Sequence, residues 1–294
     1  MESIWQIISD TYTGYYNYLV NEIMAPGWSN YFYYLIILSL VVWGLELLFP
    51  WRKNQKAFRK DFWLDGFYMF FNFFLFAFAI SGIYKLIEIG LGSIGLTSSS
   101  LAVIPMDALP KVIQLLIFFL LLDFVQWFTH VLLHRVPLFW QFHKVHHSVK
   151  EMGFAAHLRY HWMENILYKP LKTLVVMLIG GFEPEMAYIV HFAAIAIGHI
   201  NHANIYWTYG PLKYIINNPQ MHIWHHAKHL PENYRYGVNF GISLSIWDYI
   251  FRTDYIPYSG RDIELGYDDD QDMPDSFWGQ FVAPFTQIFR KKAH

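Results

Sequence analysis

The first apolar positions of the chain are spaced rather than continuous. In MESIWQIISDTYTGYYNYLVNEIM they recur among Asp, Glu and Asn, which predicts an amphipathic helix lying at an interface within residues 1–30. The stretch lacks the basic start and small-residue cleavage site of a signal peptide. The pattern then changes to continuous runs. YFYYLIILSLVVWGLELLF, residues 31–49, is uncharged until Glu46 and has close to the ~20 residues that cross a bilayer, so it predicts a transmembrane helix ended by Pro50. GFYMFFNFFLFAFAISGIY, residues 66–84, predicts the return span, and VIQLLIFFLLLDFVQWFTHVLLH, residues 112–134, a third that carries Asp123. Residues 31–122 are thus a transmembrane unit, with 85–111 as a Gly- and Ser-rich loop between spans. Two shorter apolar runs, 171–182 and 186–200, flank GGFEPE and predict a membrane hairpin over 171–200, spanning or re-entrant. The fold class that follows is an all-α integral membrane protein with about three to five transmembrane or re-entrant helices. Residues 255–294 read as a tail, with the acidic surface loop GYDDDQDMPDSF before a short amphipathic end.

Composition agrees and adds an exclusion. The chain is 55% hydrophobic and 15% charged, against roughly a quarter charged for a soluble domain. A net charge of −2 without a concentrated basic face argues against nucleic acid. With no cysteine, disulfides, thiolate metal sites and cysteine nucleophiles are excluded, and any metal must be held by nitrogen and oxygen. Charge also orients the chain. Residues 51–60 hold five Lys or Arg and residues 1–30 none, so the N-terminus is expected outside and the region after span three in the cytoplasm. The tail RKKAH, 290–294, suits retrieval to the endoplasmic reticulum or contact with anionic lipid at a bacterial inner membrane.

The candidate chemistry is histidine. Of fifteen, fourteen lie between His130 and His229. His130 and His134 are i and i+4; HKVHH (His143, His146, His147) is repeated as HIWHH (His222, His225, His226). On helices these spacings place rings on one face, as in metal sites built between packed helices. Eight such rings exceed one ion's needs, so two transition metals are the natural reading, with a further ligand from His199 or His202. The region contains no Glu-x-x-His, which excludes the carboxylate-bridged di-iron bundle, and imidazole alone does not choose among iron, copper, nickel and zinc. His157, His191 and His229 stand alone and read as ordinary core or surface residues. Asp123, seven residues before His130, is expected to hydrogen-bond a ligand ring from behind, and Asp248 is assigned the same supporting role.

The order H-x-x-x-H, H-x-x-H-H, lone His, H-x-x-H-H, closing in NYRYGVNFGISLSIWDYIFRT, resembles the fatty acid hydroxylase and sterol desaturase superfamily of membrane di-iron oxygenases. The resemblance runs from about Asp123 to Asp254. It implies a cytoplasmic helical cap, 123–254, with two iron ions held by His130, His134, His143, His146, His147, His199, His202, His222, His225 and His226. His161, in HLRYH, matches a histidine of sterol-modifying branches and is carried as a catalytic candidate. The stretch 202–226 looks most like alkylglycerol monooxygenase. Two departures stand out: Arg252 where relatives usually have Gly, and NYRYG in place of a tighter N-Y-G; neither is expected to touch a ligand. The implied activity is O2-dependent hydroxylation or desaturation of a lipid C–H bond in a fatty acyl chain, sterol or ether lipid. Trp127, Phe128, Phe139, Trp140 and Phe142 flank the clusters as candidate channel walls. The chain has no dinucleotide fingerprint, so electrons are expected from outside, through a redox partner protein or a reduced pterin. Two rivals are a haem-binding membrane cytochrome and a metal transporter, though transport sites usually lie near the midplane rather than at span ends.

Overall fold

The computed structural model describes residues 3–27, 30–97, 102, 106–179 and 184–290. Residues 180–183 of the GGFEPE stretch and the last four residues of the RKKAH tail fall outside them. Among the described residues every regular element is helical, as the sequence predicts.

Helix α1, Ile4–Met24, starts at Ser3, whose hydroxyl accepts from Gln6 N at 3.1 Å. It buries no residue fully and packs along the later helix Phe76–Ser93, where Tyr12 Oη donates to Ala79 O and its ring lies over Gly82. Helix α2, Tyr31–Leu48, is capped by Asn30 and stops ahead of Pro50. The second span is one rod, α3 (Phe62–Phe70) and α4 (Phe76–Ser93), joined through a π turn at Phe71–Leu75. That turn leaves Asn72 buried, with its amide donating to Tyr160 O at 2.9 Å. The helix runs nine residues past Tyr84, where the sequence predicts a loop. Lys85 and Glu88 pair one turn apart at 3.1 Å, and the stop comes only at Gly95, in the left-handed region at φ 79°.

Helix α5, Lys111–Arg135, ends because Pro137 forces Val136 into extended backbone, and the same proline opens α6, Pro137–His147. Then follow α7 (Met163–Ile179), α8 (Pro184–His202), α9 (Pro219–His225), α10 (Ile246–Phe251) and α11 (Phe277–Arg290). Among the described residues three helices are long and apolar enough to cross a membrane: Tyr31–Leu48, Phe62–Ser93 and Lys111–Arg135. Their residues are mostly turned outward, a face suited to lipid.

A buried apolar cluster of Val149, Met152, Ala156, Ile223, Trp224, Ala227 and Leu265 joins the two H-x-x-H-H segments. The 51–60 loop is tied to the same end of the molecule: Trp51 N donates to Asn204 O and Arg52 to Met152 O. Residues after 254 also pack there. Gly266 N donates to His226 O, and α11 sets Phe277 on Tyr68 and Phe285 on Phe142. Within the acidic stretch read as a surface loop, Asp270 is buried and bonded to Lys150, because a basic neighbour gives its carboxylate a partner inside.

Glu46 at the end of α2 joins span to cap. One buried carboxylate oxygen accepts from Phe154 N at 2.8 Å and Asn204 N at 2.7 Å. Glu46→Ala leaves two buried N–H groups unpaired and is expected to cost roughly 2–4 kcal/mol. Glu46→Gln, whose amide oxygen can accept from both, is expected to cost less; thermal unfolding in detergent separates the two.

Candidate metal centre

Nine of the ten histidines proposed as ligands meet in two groups. His130, His134, His143, His147 and His225 form the first, and His146, His202, His222 and His226 the second. Within each, one nitrogen per ring lies within 4.8 Å of all the others. Each H-x-x-H-H motif straddles both groups. His143 and His147 enter one and His146 the other; His222 and His226 enter one and His225 the other. The division is helical geometry, since residues i and i+4 lie about 40° apart around the axis while i+3 points about 100° from i+4. One motif therefore serves two neighbouring centres, and two motifs close both.

Backbone and side-chain oxygens fix the rings from behind. His130 Nδ1 donates to Phe240 O and His225 Nδ1 to Val238 O, each at 2.7 Å. His146 Nδ1 donates to Arg159 O at 3.1 Å, His202 Nδ1 to Gly198 O at 2.8 Å and His143 Nδ1 to Glu164 Oε2 at 3.1 Å. A carbonyl oxygen can only accept, so in His130, His225, His146 and His202 Nδ1 carries the proton and Nε2 of the neutral ring carries a lone pair. Each of these Nε2 atoms faces a nitrogen of another ring. Nε2 to Nε2 is 3.1 Å for His130 and His143, 3.1 Å for His147 and His225, and 3.4 Å for His146 and His202. Burial is the first cause holding the rings neutral: it lowers His146 to about 3, and it takes His143, His147, His222, His225 and His226 well below 6.5, with neighbouring rings adding to the effect.

Neutral ring nitrogens converging this closely call for a cation, and the donor set fits one. Nitrogens opposite each other across an ion at 2.0–2.1 Å stand about 4.2 Å apart, so each cage closes on a metal with small ring movements. His222 Nδ1 and His226 Nδ1, buried with no partner, add unmet polarity at the second group. The haem alternative fails, because 3.1 Å between His130 Nε2 and His143 Nε2 leaves no room for a porphyrin.

The other candidates are placed differently. His199 lies outside both groups, with Nδ1 2.9 Å from His157 Nδ1 and Nε2 3.3 Å from Ser39 Oγ. His161 has both nitrogens engaged: Nδ1 accepts from Met163 N, and Nε2 donates to Phe281 O at 2.9 Å. Asp123 accepts from Trp247 Nε1 at 2.9 Å rather than from a ligand ring. Seven residues of helix are about 10 Å of rise, which keeps it from the His130 ring it faces. Asp248 acts one layer back. It accepts from Trp127 Nε1, Phe240 N, Gly241 N and Thr253 Oγ1, fixing the loop whose carbonyls hold His130 and His225. Trp127 is therefore part of that support, while Trp140 lies against His134 at 5.0 Å between centroids.

The sequence reading missed Glu164, although it is the one acid between Glu151 and Glu183. Burial raises its carboxyl to about 8 without an ion; a cation on His143 Nε2 would favour the carboxylate that accepts from Nδ1–H. The NYRYG turn also does more than expected. Gly237, at φ 102°, passes so close to His134 that a Cβ there would lie 2.8 Å from its Nδ1, and the Tyr236 backbone hydrogen-bonds the ring. Arg252 occupies a left-handed position at φ 57° ending α10, which is why glycine suits that place.

Residues 115–253 match the model of the fatty acid hydroxylase family. Particular relatives sharpen the class. The chain is 28% identical over 186 residues to the ornithine lipid hydroxylase OlsE of Rhizobium tropici, covering 63% of this chain and 54% of that protein. It is 30% identical over 140 residues to the alkylglycerol monooxygenase of Homo sapiens, covering 46% and 29%. It is 27% identical over 144 residues to the very-long-chain aldehyde decarbonylase GL1-7 of Oryza sativa subsp. japonica, covering 45% and 21%. The chain thus spans about half the length of the first and under a third of the other two. No solved structure matches it. The resemblance read from the histidine order, including the alkylglycerol monooxygenase-like branch, agrees with these matches.

Two predictions follow from the geometry. In metal-free protein the unfolded rings titrate near 6.5 and folded His146 near 3. Between those values the unfolded chain binds more protons, so stability is fully present above about pH 6.5 and falls as pH drops through the window. The melting temperature of chelated protein is expected to be lower at pH 5 than at pH 7.5; equal values would mean the rings are not buried neutral. Separately, Asp248→Ala removes no ring from either group, yet is expected to weaken metal retention roughly 10–100-fold through the Phe240 and Val238 carbonyls. Metal content after a chelator challenge measures this.

Proposed function

We propose that this protein is a membrane lipid oxygenase carrying two iron ions, one in each histidine group. The observation that carries the reading is the pair of buried groups in which nine rings converge, four of them with a backbone carbonyl behind Nδ1 that leaves Nε2 a lone pair. Bound there, the irons would supply redox chemistry, using O2 and outside electrons to hydroxylate or desaturate an unactivated C–H bond. The protein's own part is to hold nine neutral rings in place, exclude water and admit an apolar chain. Glu164 and the Gly198, Phe240, Val238 and Arg159 carbonyls would keep the ring protons on Nδ1 while Nε2 faces metal.

A lipid substrate is supported by an apolar cleft of about 280 Å³ at the π turn, lined by Phe71, Leu75, Phe76, Trp162, Trp278 and Phe281. Trp162 on its wall precedes Glu164 by two residues. The matched relatives are named for a lipid hydroxylase and an alkylglycerol monooxygenase, which favours a lipid with a polar head over a free hydrocarbon. Electrons would come from a partner protein or a reduced pterin. The basic 51–60 loop lies beside the histidine segments, which supports a cytoplasmic site under the positive-inside rule.

Purified protein reconstituted with ferrous iron is expected to bind about two non-haem irons per chain, and lipid extracts from cells expressing it to contain an oxidised lipid absent from controls. His146→Ala is expected to abolish that product while the protein still inserts in the membrane. A chain that binds no tight iron, or forms product without His146, would overturn the assignment.

A further inference from the structure

Gly198 lies one helical turn before His202, on the face of α8 that carries that ring to the second group. A side chain at this place would collide with His157, since an ideal Cβ falls 2.2 Å from both its Cε1 and its Nε2. The space open to another residue of α8 is thus filled by an imidazole from the 154–158 turn, its centroid 5.0 Å from that of His202. Behind this ring runs a buried chain of hydrogen bonds. Ser39 Oγ donates to Met69 Sδ at 3.5 Å, which leaves the hydroxyl oxygen to accept from His199 Nε2 at 3.3 Å. His199 Nδ1 then has only a lone pair to offer, so His157 Nδ1 is the donor across their 2.9 Å contact. His157 Nε2 is left with a free lone pair. His146 and His202 of the second group share this pattern, with Nδ1 bonded to a neighbour and Nε2 left as a lone pair.

We propose that His157 is the fifth imidazole of the second group, oriented by His199 and Ser39, so that the chain offers five ring nitrogens to each of two ions. The inference rests on the two-ion reading above. His157 stands beside the group of four, and its ring would swing toward the ion as the ion binds. His199, on this account, is a positioning residue: it fixes the His157 tautomer and holds the ring against Gly198. The absence of a side chain at Gly198 is what lets His157 enter.

The test uses full-length protein in detergent, loaded anaerobically with ferrous iron enriched in the Mössbauer isotope. Wild type is expected to hold about two irons in two distinguishable environments. His157→Ala is expected to keep the first and lose the second, giving about one iron per chain and one spectral component. His199→Ala should retain both at saturating iron but bind the second roughly 10–100-fold more weakly. Gly198→Ala should displace the ring and copy the His157→Ala result, while Gly198→His combined with His157→Ala should restore the second ion from the helix itself. Two irons with wild-type affinity and spectrum in His157→Ala would overturn this inference and leave the two-iron reading intact. No iron in wild type would overturn both. Should His157→Ala fail to fold, Gly198→Ala decides alone, unchanged second-ion binding counting against the proposal.

Discussion

Neutral imidazoles held with their lone pairs toward one another are the constraint on which the rest of this structure depends. Left alone, such rings would turn to water or take up protons, because converging lone pairs repel and a buried polar atom without a partner costs free energy. Here neither escape is open. Burial keeps the proton off the outer nitrogen, and an acceptor behind Nδ1 keeps the ring from rotating. The arrangement is tolerable in a folded protein when a cation supplies what the rings lack, so polypeptide architecture and metal affinity express the same energetic fact.

Each element of the cap can be traced to one of those acceptors. The loop from Val238 to Gly241 offers two carbonyls because Asp248 collects its amide protons, and Asp248 is placed by α10 against Trp127 of α5. The carbonyl behind His146 belongs to Arg159, whose buried guanidinium pairs with Asp61 and Asp65 at the start of α3. Those acids lie beside the basic loop after the first span. A charge network at the membrane end therefore sets the height of one ring, and Asn72 at the π turn fixes the adjoining carbonyl of Tyr160. The three spans act less as walls than as a frame that holds these backing groups at the right depth.

How much of this is legible in the sequence follows from range. Spans and histidine faces depend on spacings of three, four and about twenty residues, so they can be read locally, and H-x-x-H-H announces itself by the same rule. The division of that motif between two centres is also local, once i+3 and i+4 are drawn as separate directions. The backing groups are different. Val238 and Phe240 serve through their carbonyls, which every residue has, and Glu164 meets His143 only because α7 packs on α6. Asp123 misled because it shares a helical face with His130, while the distance along the axis decides contact. Gly198 carries no chemistry of its own, and its meaning appears only with His157 against it.

Charge gives the arrangement its final consequence. Nine neutral rings bring no negative charge, and the buried carboxylates nearest them, Glu164 and Asp248, stand behind the rings or behind their supports. On the two-iron reading, divalent ions would bring four positive charges into an interior with little to offset them, and each further oxidation would add another at low dielectric. Carboxylate-rich cages offset that charge directly; this one does not. The ligand set therefore favours the reduced ions and makes Glu164, the sole carboxylate touching one of the nine rings among the described residues, the natural place for the protein to adjust charge. Its raised affinity for a proton in the metal-free site is the other side of that balance, since the same carboxyl is comfortable neutral when the rings stand empty and charged when His143 holds a cation.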